Sequence, residues 1–142
     1  MARSRRARWL AAAALLATLA AGGLTAWHLF VPRARVFIGA SFAHAAEGDV
    51  ALRRGQPIRV LLSSPRRFGA GGFVELELHH LGDGGDRVLH VIPLRADERD
   101  DEVVFAMPDV TQLVGAARGR FRVVFVRDGE RLASADFTVL SP

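Results

Sequence analysis

From residue 35 onward, apolar residues recur in short runs that are separated by clusters of Gly, Pro and Asp. Runs of β-branched and aromatic residues between turn formers are typical of β-strands. In the clearest run, Val74, Leu76 and Leu78 alternate with polar residues, which predicts a strand with one buried and one solvated face. Seven strands are predicted, at residues 35–39, 57–63, 72–80, 87–94, 102–107, 120–126 and 131–140.

The last two predicted strands are joined by Asp128-Gly129. This dipeptide supplies the positive φ angles of a tight type I′ hairpin turn. Between the fifth and sixth strands, residues 109–117 are expected to form one helical turn with Asp109 as its cap. The predicted fold is all-β, a seven-stranded immunoglobulin-like β-sandwich preceded by one N-terminal transmembrane or signal helix. Alternation in the hairpin places five apolar side chains in the core, namely Phe121, Val123, Phe125, Phe137 and Val139.

The hairpin also carries a resemblance to known families. Residues 119–125, the Asp128-Gly129 turn and residues 137–139 resemble the closing hairpin of bacterial immunoglobulin-like and fibronectin-like domains. The same stretch is similar to the last hairpin of periplasmic copper-resistance C-type proteins, in which a His after the turn helps to hold copper. Glu130 stands at that position here. The resemblance therefore implies a fold and no copper site.

The N-terminus has the pattern of a membrane anchor. Residues 1–8 contain four arginines, and residues 9–31 form a run of 23 residues without a charged side chain. A helix of that length rises about 35 Å, enough for a hydrocarbon core of roughly 30 Å, and the flanking arginines keep the N-terminus cytoplasmic. The alternative is a cleaved signal peptide, with residues 18–20 or 20–22 as the approach to the cleavage site. Both alternatives export the rest of the chain, which consists of a juxtamembrane segment at 32–56, with a first strand from residue 35, and the remainder of the β domain at 57–142.

The basic charge of the chain is concentrated before this domain. Residues 1–35 hold six of the 19 arginines and no acidic residue, which leaves 13 arginines and 15 acidic residues, a formal charge of −2. Proteins that bind phosphates need a clustered positive surface, so no nucleic-acid partner is predicted. The predicted partners are the membrane, through residues 9–31, and a protein of the bacterial envelope.

Three histidines flank the turn at residues 82–86. In the two hairpin registers that this turn favours, either His79 or His80 stands opposite His90, so that two imidazoles meet across strands. Imidazole binds zinc, copper or nickel, and a nearby Asp can add a ligand. The spacing follows no established metal motif, however, and solvent-facing strand histidines are the alternative. No metal or other cofactor is predicted.

A second candidate site is the glycine-rich connection at residues 63–72, which carries Arg66, Arg67 and Phe68. Arginine beside an aromatic side chain is common at protein interfaces, so a partner-binding loop is expected here if the domain has one. The alternative is an ordinary loop with Phe68 tucked under the edge of the sandwich.

The sequence contains no P-loop, nucleophile elbow, dinucleotide fingerprint or zinc-protease helix, and it contains no cysteine. The predicted function is a non-enzymatic, membrane-anchored interaction domain, an accessory component of a bacterial envelope assembly. The alternative function is a periplasmic carrier of a small ligand or metal that uses His79, His80 and His90. The predicted location is the inner membrane, with one span and the C-terminal domain in the periplasm or outside the cell; cleavage would instead release a secreted protein.

Overall fold

The structure is a computed structural model that describes residues 32–66, 68, 73–96 and 100–141. The chain divides into two compact units, Met1–Pro32 and Arg33–Pro142, and nearly all described residues belong to the second. Within this part of the chain, eight strands are formed: β1 (Arg35–Gly39), β2 (Val50–Arg53), β3 (Ile58–Ser63), β4 (Phe73–Gly82), β5 (Gly85–Arg95), β6 (Glu102–Met107), β7 (Gly119–Arg127) and β8 (Glu130–Leu140). A 3-10 helix (Phe42–His44) follows β1, and a short α-helix, α1 (Val110–Val114), lies between β6 and β7.

The all-β class is confirmed, and each of the seven predicted segments is a strand. The count of seven is not confirmed, because β2 is an additional strand. Its four residues contain one fully buried side chain, Leu52, and two exposed ones, Ala51 and Arg53. A segment this short has too little alternation to be recognised from its own sequence, and its strand geometry comes from pairing with β8.

The strands form two sheets. The three-stranded sheet has the order β1-β3-β6, and the five-stranded sheet has the order β2-β8-β7-β4-β5. All neighbouring pairs are antiparallel except β2 and β8, which are parallel. Two pairs contain a register shift, between Leu78 and His79 in β4–β5 and between Phe125 and Val126 in β7–β8. These shifts decide which polar side chains meet.

One hydrophobic cluster joins residues of both sheets. On β4 the predicted alternation is confirmed, since Val74, Leu76 and Leu78 are all fully buried. On the last hairpin, the Phe121 and Phe137 rings stack with centroids 5.4 Å apart. The five predicted core residues of that hairpin are buried in this cluster, namely Phe121, Val123, Phe125, Phe137 and Val139.

The turn and cap predictions are also confirmed. Asp128 has φ 51° and Gly129 has φ 77°, and the flanking residues Arg127 and Glu130 are paired, as in a two-residue hairpin. At the start of α1, the Thr111 amide donates to Asp109 Oδ1 at 2.7 Å. The hydrogen bonds from the backbone and side chain of Thr111 hold the pKa of Asp109 below its usual range.

Candidate functional site

The outer face of the five-stranded sheet carries a polar groove of about 410 Å³, which we call the arginine groove. Strands β7 and β8 form its floor, and the segment that leads into β2 forms one wall. Its position follows from the pleat, because the side chains of β7 that alternate with the buried Phe121 and Val123 point away from the core. The groove is lined by Glu47, Gly48, Asp49, Arg120, Arg122, Arg131, Ser134, Ala135 and Asp136.

A bidentate ion pair lies at the centre of the groove. Arg122 Nε donates to Asp136 Oδ1 at 2.6 Å, and the Arg122 terminal nitrogen Nη2 donates to Asp136 Oδ2 at 3.0 Å. The two residues are direct cross-strand partners of β7 and β8. The hydrogen bond from Arg122 holds the pKa of Asp136 below its usual range, and the same bond raises the pKa of Arg122.

The other arginines of the groove are more exposed and are also held in place. Arg120 lies 3.2 Å from Asp136 and 3.5 Å from Asp49, and its side chain is 56% exposed. Arg131 donates to the Ser134 hydroxyl. Guanidinium groups fixed in this way present charged, planar hydrogen-bond donors to solvent. They lose little further conformational entropy when a partner binds. The groove is therefore suited to recognising polar or charged groups on a partner.

Sequence reasoning missed this groove because a bulge sets the pairing of Arg122. Counting back from the Asp128-Gly129 turn in a regular hairpin places Arg122 opposite Ala135. The register shift after Phe125 adds one residue to β8 and brings Asp136 opposite Arg122 instead. The available signal was the alternation of Arg120 and Arg122 with buried residues, which indicates a shared outer face but no partner.

The three histidines do not form a common site. Because adjacent residues of a strand point to opposite faces, His79 and His80 diverge. His79 Nε2 lies 2.9 Å from Glu77 Oε2 on the outer face, whereas the His80 ring packs 5.0 Å from that of Phe121 and its Nε2 lies 2.8 Å from the Arg118 carbonyl oxygen. The expected register is wrong, since the shift in β4–β5 pairs the exposed His90 with Leu78. Among the described residues, no group of three or more His, Asp or Glu is placed to hold a metal ion.

In the connection at residues 63–72, the described residue Phe68 adopts the alternative arrangement. Phe68 is only 5% exposed, and its amide donates to the Asp100 carbonyl at 3.1 Å. The Arg127 guanidinium lies 6.0 Å from the centroid of the Phe68 ring. Of the two alternatives, the buried ring matches the one in which Phe68 is tucked against the core, and Phe68 is not an exposed anchor. Arg66 is exposed, and Arg67 lies outside the described residues.

The predicted membrane segment at residues 9–31 lies outside the described residues. Across the part of the chain that the structure does describe, no helix is long and apolar enough to span a membrane.

No family model and no curated protein matches the chain. Among solved structures, the chain is similar to a Pseudomonas fluorescens alkylpurine DNA glycosylase, AlkC, bound to DNA that contains an abasic-site analog. The TM-score is 0.47, the sequence identity is 18%, and the match covers 76% of this chain and 31% of that one. The chain thus spans about a third of the length of the glycosylase, and a likeness of this degree says nothing about its activity.

The prediction that excluded nucleic acid as a partner is corrected, and nucleic acid is no longer excluded; the similar structure is that of a DNA-bound protein. The exclusion rested on the summed charge of the residues after residue 35. A summed charge does not show how the charged side chains are distributed over the folded surface. The fold gathers Arg120, Arg122 and Arg131 in one groove, where Glu47, Asp49 and Asp136 match them in number. The correction withdraws the exclusion and assigns no partner to this chain.

Proposed function

We propose that this chain is a membrane-anchored extracytoplasmic interaction domain, a non-enzymatic accessory component of a bacterial envelope assembly, and that the arginine groove is its binding surface. The observation that carries the proposal is the set of three arginine side chains held by ion pairs and a hydrogen bond on a solvated sheet face. Arginine is enriched at interface hot spots. An arginine side chain whose guanidinium is already oriented loses less conformational entropy on binding.

The proposed architecture is an immunoglobulin-like sandwich. Its support is a three-stranded and a five-stranded sheet that share one core, with the chain changing sheet between β1 and β2, β2 and β3, β3 and β4, β5 and β6, and β6 and β7. In this architecture a rigid pair of sheets supports binding groups on its outer faces and end loops.

The proposed location rests on the N-terminal sequence. Four arginines in residues 1–8 precede 23 residues without charge, which suits a single span with a cytoplasmic N-terminus. The groove residues belong to the following unit, Arg33–Pro142, and so face the outside of the membrane in this proposal.

The alternative of a metal or small-ligand carrier gains no support. It needs at least two of His79, His80 and His90 to converge. The ring contacts of His79 and His80 lie on opposite faces of β4, and His90 is paired with Leu78 rather than with either of them.

A site-specific photo-crosslinker in place of Ser134 tests the proposed binding surface in living cells. Ser134 is half-buried in the groove, and its neighbours Arg120 and Arg131 are exposed enough to be replaced without loss of the core. We expect a crosslinked product at Ser134 that is lost in an Arg120→Ala, Arg131→Ala double variant. Digestion of the product with protease or nuclease identifies the chemical class of the partner.

The matched control places the crosslinker at Arg95, an exposed residue of β5 on the opposite edge of the same sheet from β2. This position is expected to give no product. The proposal is wrong if correctly exported protein gives no product at Ser134, or if the product forms equally without the two arginines.

A further inference from the structure

Strand β6 forms an edge of the three-stranded sheet, and its one charged residue is Glu102 at its first position. Its sequence, residues 102–107, contains no proline and no basic residue, and its register with β3 is continuous. No strand among the described residues lies on its far side. An unblocked edge of this kind offers a row of free backbone donors and acceptors to another strand.

The other sheet edges are protected. Strand β5 contains Pro93, exposed arginines at 87 and 95, and a register irregularity opposite Leu78 and His79. The Ile38 amide of β1 donates to the Ala46 carbonyl at 3.0 Å, and the Ala46 amide donates back to Ile38 at the same distance, so that edge is partly occupied. Strand β2 is only four residues long. Proline, charge, irregularity, covering and shortness are the known means of blocking an edge. Among the described residues, β6 shows only one of them, the charge of Glu102 at its first position.

A row of apolar side chains leads across the outer face of this sheet to the β6 edge. Phe37 pairs with Leu61, and Leu61 pairs with Val104, so the three side chains lie side by side on the face opposite the core. Phe37 and Leu61 are half-buried, and Val104 at the edge is 52% exposed. We call this set the apolar row. A strand added beside β6 would extend it.

Strand β6 is complementary to itself in one antiparallel register. If Val104 faces Val104 of a second copy, the two apolar rows join into one row of six side chains. In the same register Glu102 faces Ala106 of the second copy, so no two acidic residues are opposed. Because the acidic residues Asp100 and Asp101 precede β6, they face the uncharged end of the other strand.

This register also brings opposite charges together. Arg59 lies beside Ala106 across the β3–β6 pair, and it projects toward β6, since its guanidinium donates to the Met107 carbonyl at 3.2 Å. Glu102 of the second copy would be the next residue in that row, roughly 10 Å from the Arg59 backbone at normal strand spacing. An arginine and a glutamate side chain span that distance over the small Ala106. The two-fold symmetry repeats the pair.

We propose that two copies of this chain associate through antiparallel pairing of their β6 strands, forming a continuous six-stranded sheet with Val104 at the two-fold axis. The pairing does not involve the arginine groove, which lies on the other sheet. An experiment can therefore contradict the proposed dimer without contradicting the proposed binding surface, and the reverse.

Single cysteines test the register, because the chain contains no cysteine of its own. In the full-length protein, kept in mild non-ionic detergent, oxidation of Val104→Cys is expected to give a disulfide-linked dimer, since directly opposed strand residues approach within about 5 Å. Ala106→Cys is the first control. It lies on the same face of the same strand, but its symmetry mate is displaced by four residues, roughly 13 Å along the strand, which no disulfide spans.

Val91→Cys is the second control, because Val91 has the same side chain and the same 52% exposure on β5. We expect crosslinking at position 104 to exceed that at 106 and 91 by about tenfold or more, given the steep geometric limits on disulfides. Val104→Arg should abolish the uncrosslinked dimer in sedimentation velocity, and Val91→Arg should preserve it. Equal crosslinking at all three positions, or a monomer at every concentration with position 104 uncrosslinked, would overturn the proposal.

Discussion

Replacing Asp136 by Asn tests whether the central ion pair of the arginine groove stabilises the fold. The substitution keeps the size and shape of the side chain but removes the negative charge of the carboxylate, which accepts two hydrogen bonds from Arg122. Both side chains are less than one-third exposed, at 17% for Asp136 and 31% for Arg122. Water can therefore replace only part of the lost interaction.

The magnitude follows from the geometry of the pair. A hydrogen bond to a charged group contributes about 1.5–3 kcal/mol, and a solvated ion pair contributes at most about 1 kcal/mol. Arg122 keeps a second acidic neighbour, Asp86, at 3.7 Å, and Asn retains one acceptor oxygen. We therefore expect Asp136→Asn to lower the free energy of unfolding by about 1–2 kcal/mol at neutral pH.

The effect should depend on pH in a defined direction. The folded-state pKa of Asp136 is lowered from its ordinary value of 3.8, mainly by the hydrogen bond from Arg122. Stability from a carboxylate of this kind is fully present above the ordinary pKa and is lost as the pH falls through the folded-state pKa. The difference between wild type and Asp136→Asn should therefore be constant from about pH 5 to 8 and shrink below pH 3.8.

Urea unfolding of residues 33–142, followed by circular dichroism at pH 7 and pH 3, measures both quantities. Asp49→Asn is the matched control, because Asp49 belongs to the same network but is 70% exposed and lies 3.5 Å from Arg120. It should change stability by less than about 0.5 kcal/mol. The reasoning is refuted if Asp136→Asn lowers the free energy of unfolding equally at both pH values, or by no more than Asp49→Asn does.

Three further substitutions test the packing and the cap of α1. Gly39→Ala should lower the free energy of unfolding in urea by roughly 1–3 kcal/mol, because the added Cβ would lie 2.8 Å from the Ala45 Cα. Gly84→Ala, which has open space around the added Cβ, should leave that free energy unchanged. Phe121→Ala should lower the free energy of unfolding by about 3–5 kcal/mol, since the ring is fully buried, and Val88→Ala, 48% exposed, by less than about 0.5 kcal/mol. Asp109→Ala should speed hydrogen exchange of the first amides of α1, measured by NMR, and leave exchange in β4 unchanged.

Much of the fold was readable because its signals are local. The alternation in residues 72–80 identifies β4 and its buried face, and the positive φ angles required at Asp128 and Gly129 identify the last hairpin. Asp109 was recognisable as a helix cap because its side chain bonds to an amide two residues away. In each case the interaction that determines the structure lies within a few residues of the signal.

The remaining features depend on contacts that sequence patterns do not encode. Strand β2 exists through a parallel pairing with β8, and its partner lies more than 80 residues away in the chain. Register shifts place Asp136 opposite Arg122 and His90 opposite Leu78, and a bulge of one residue leaves no signal in hydrophobic periodicity. The sequence left open whether Phe68 is an interface anchor or is tucked under the sandwich edge, and its ring packs into the core. The candidate site was missed for the same reason: its geometry is tertiary.

The central claim, that the domain with the arginine groove is held outside the membrane by the N-terminal segment, is tested most directly by thiol labelling in living cells. The cysteine-free chain allows one cysteine at Asp83, in the exposed β4–β5 turn, and in a separate variant one at Ser4, within the basic N-terminal region. With a membrane-impermeant maleimide, we expect Asp83→Cys to be labelled in intact spheroplasts and Ser4→Cys only after lysis, both in full-length protein that sediments with the membranes. Labelling of Asp83→Cys only after lysis would contradict this topology.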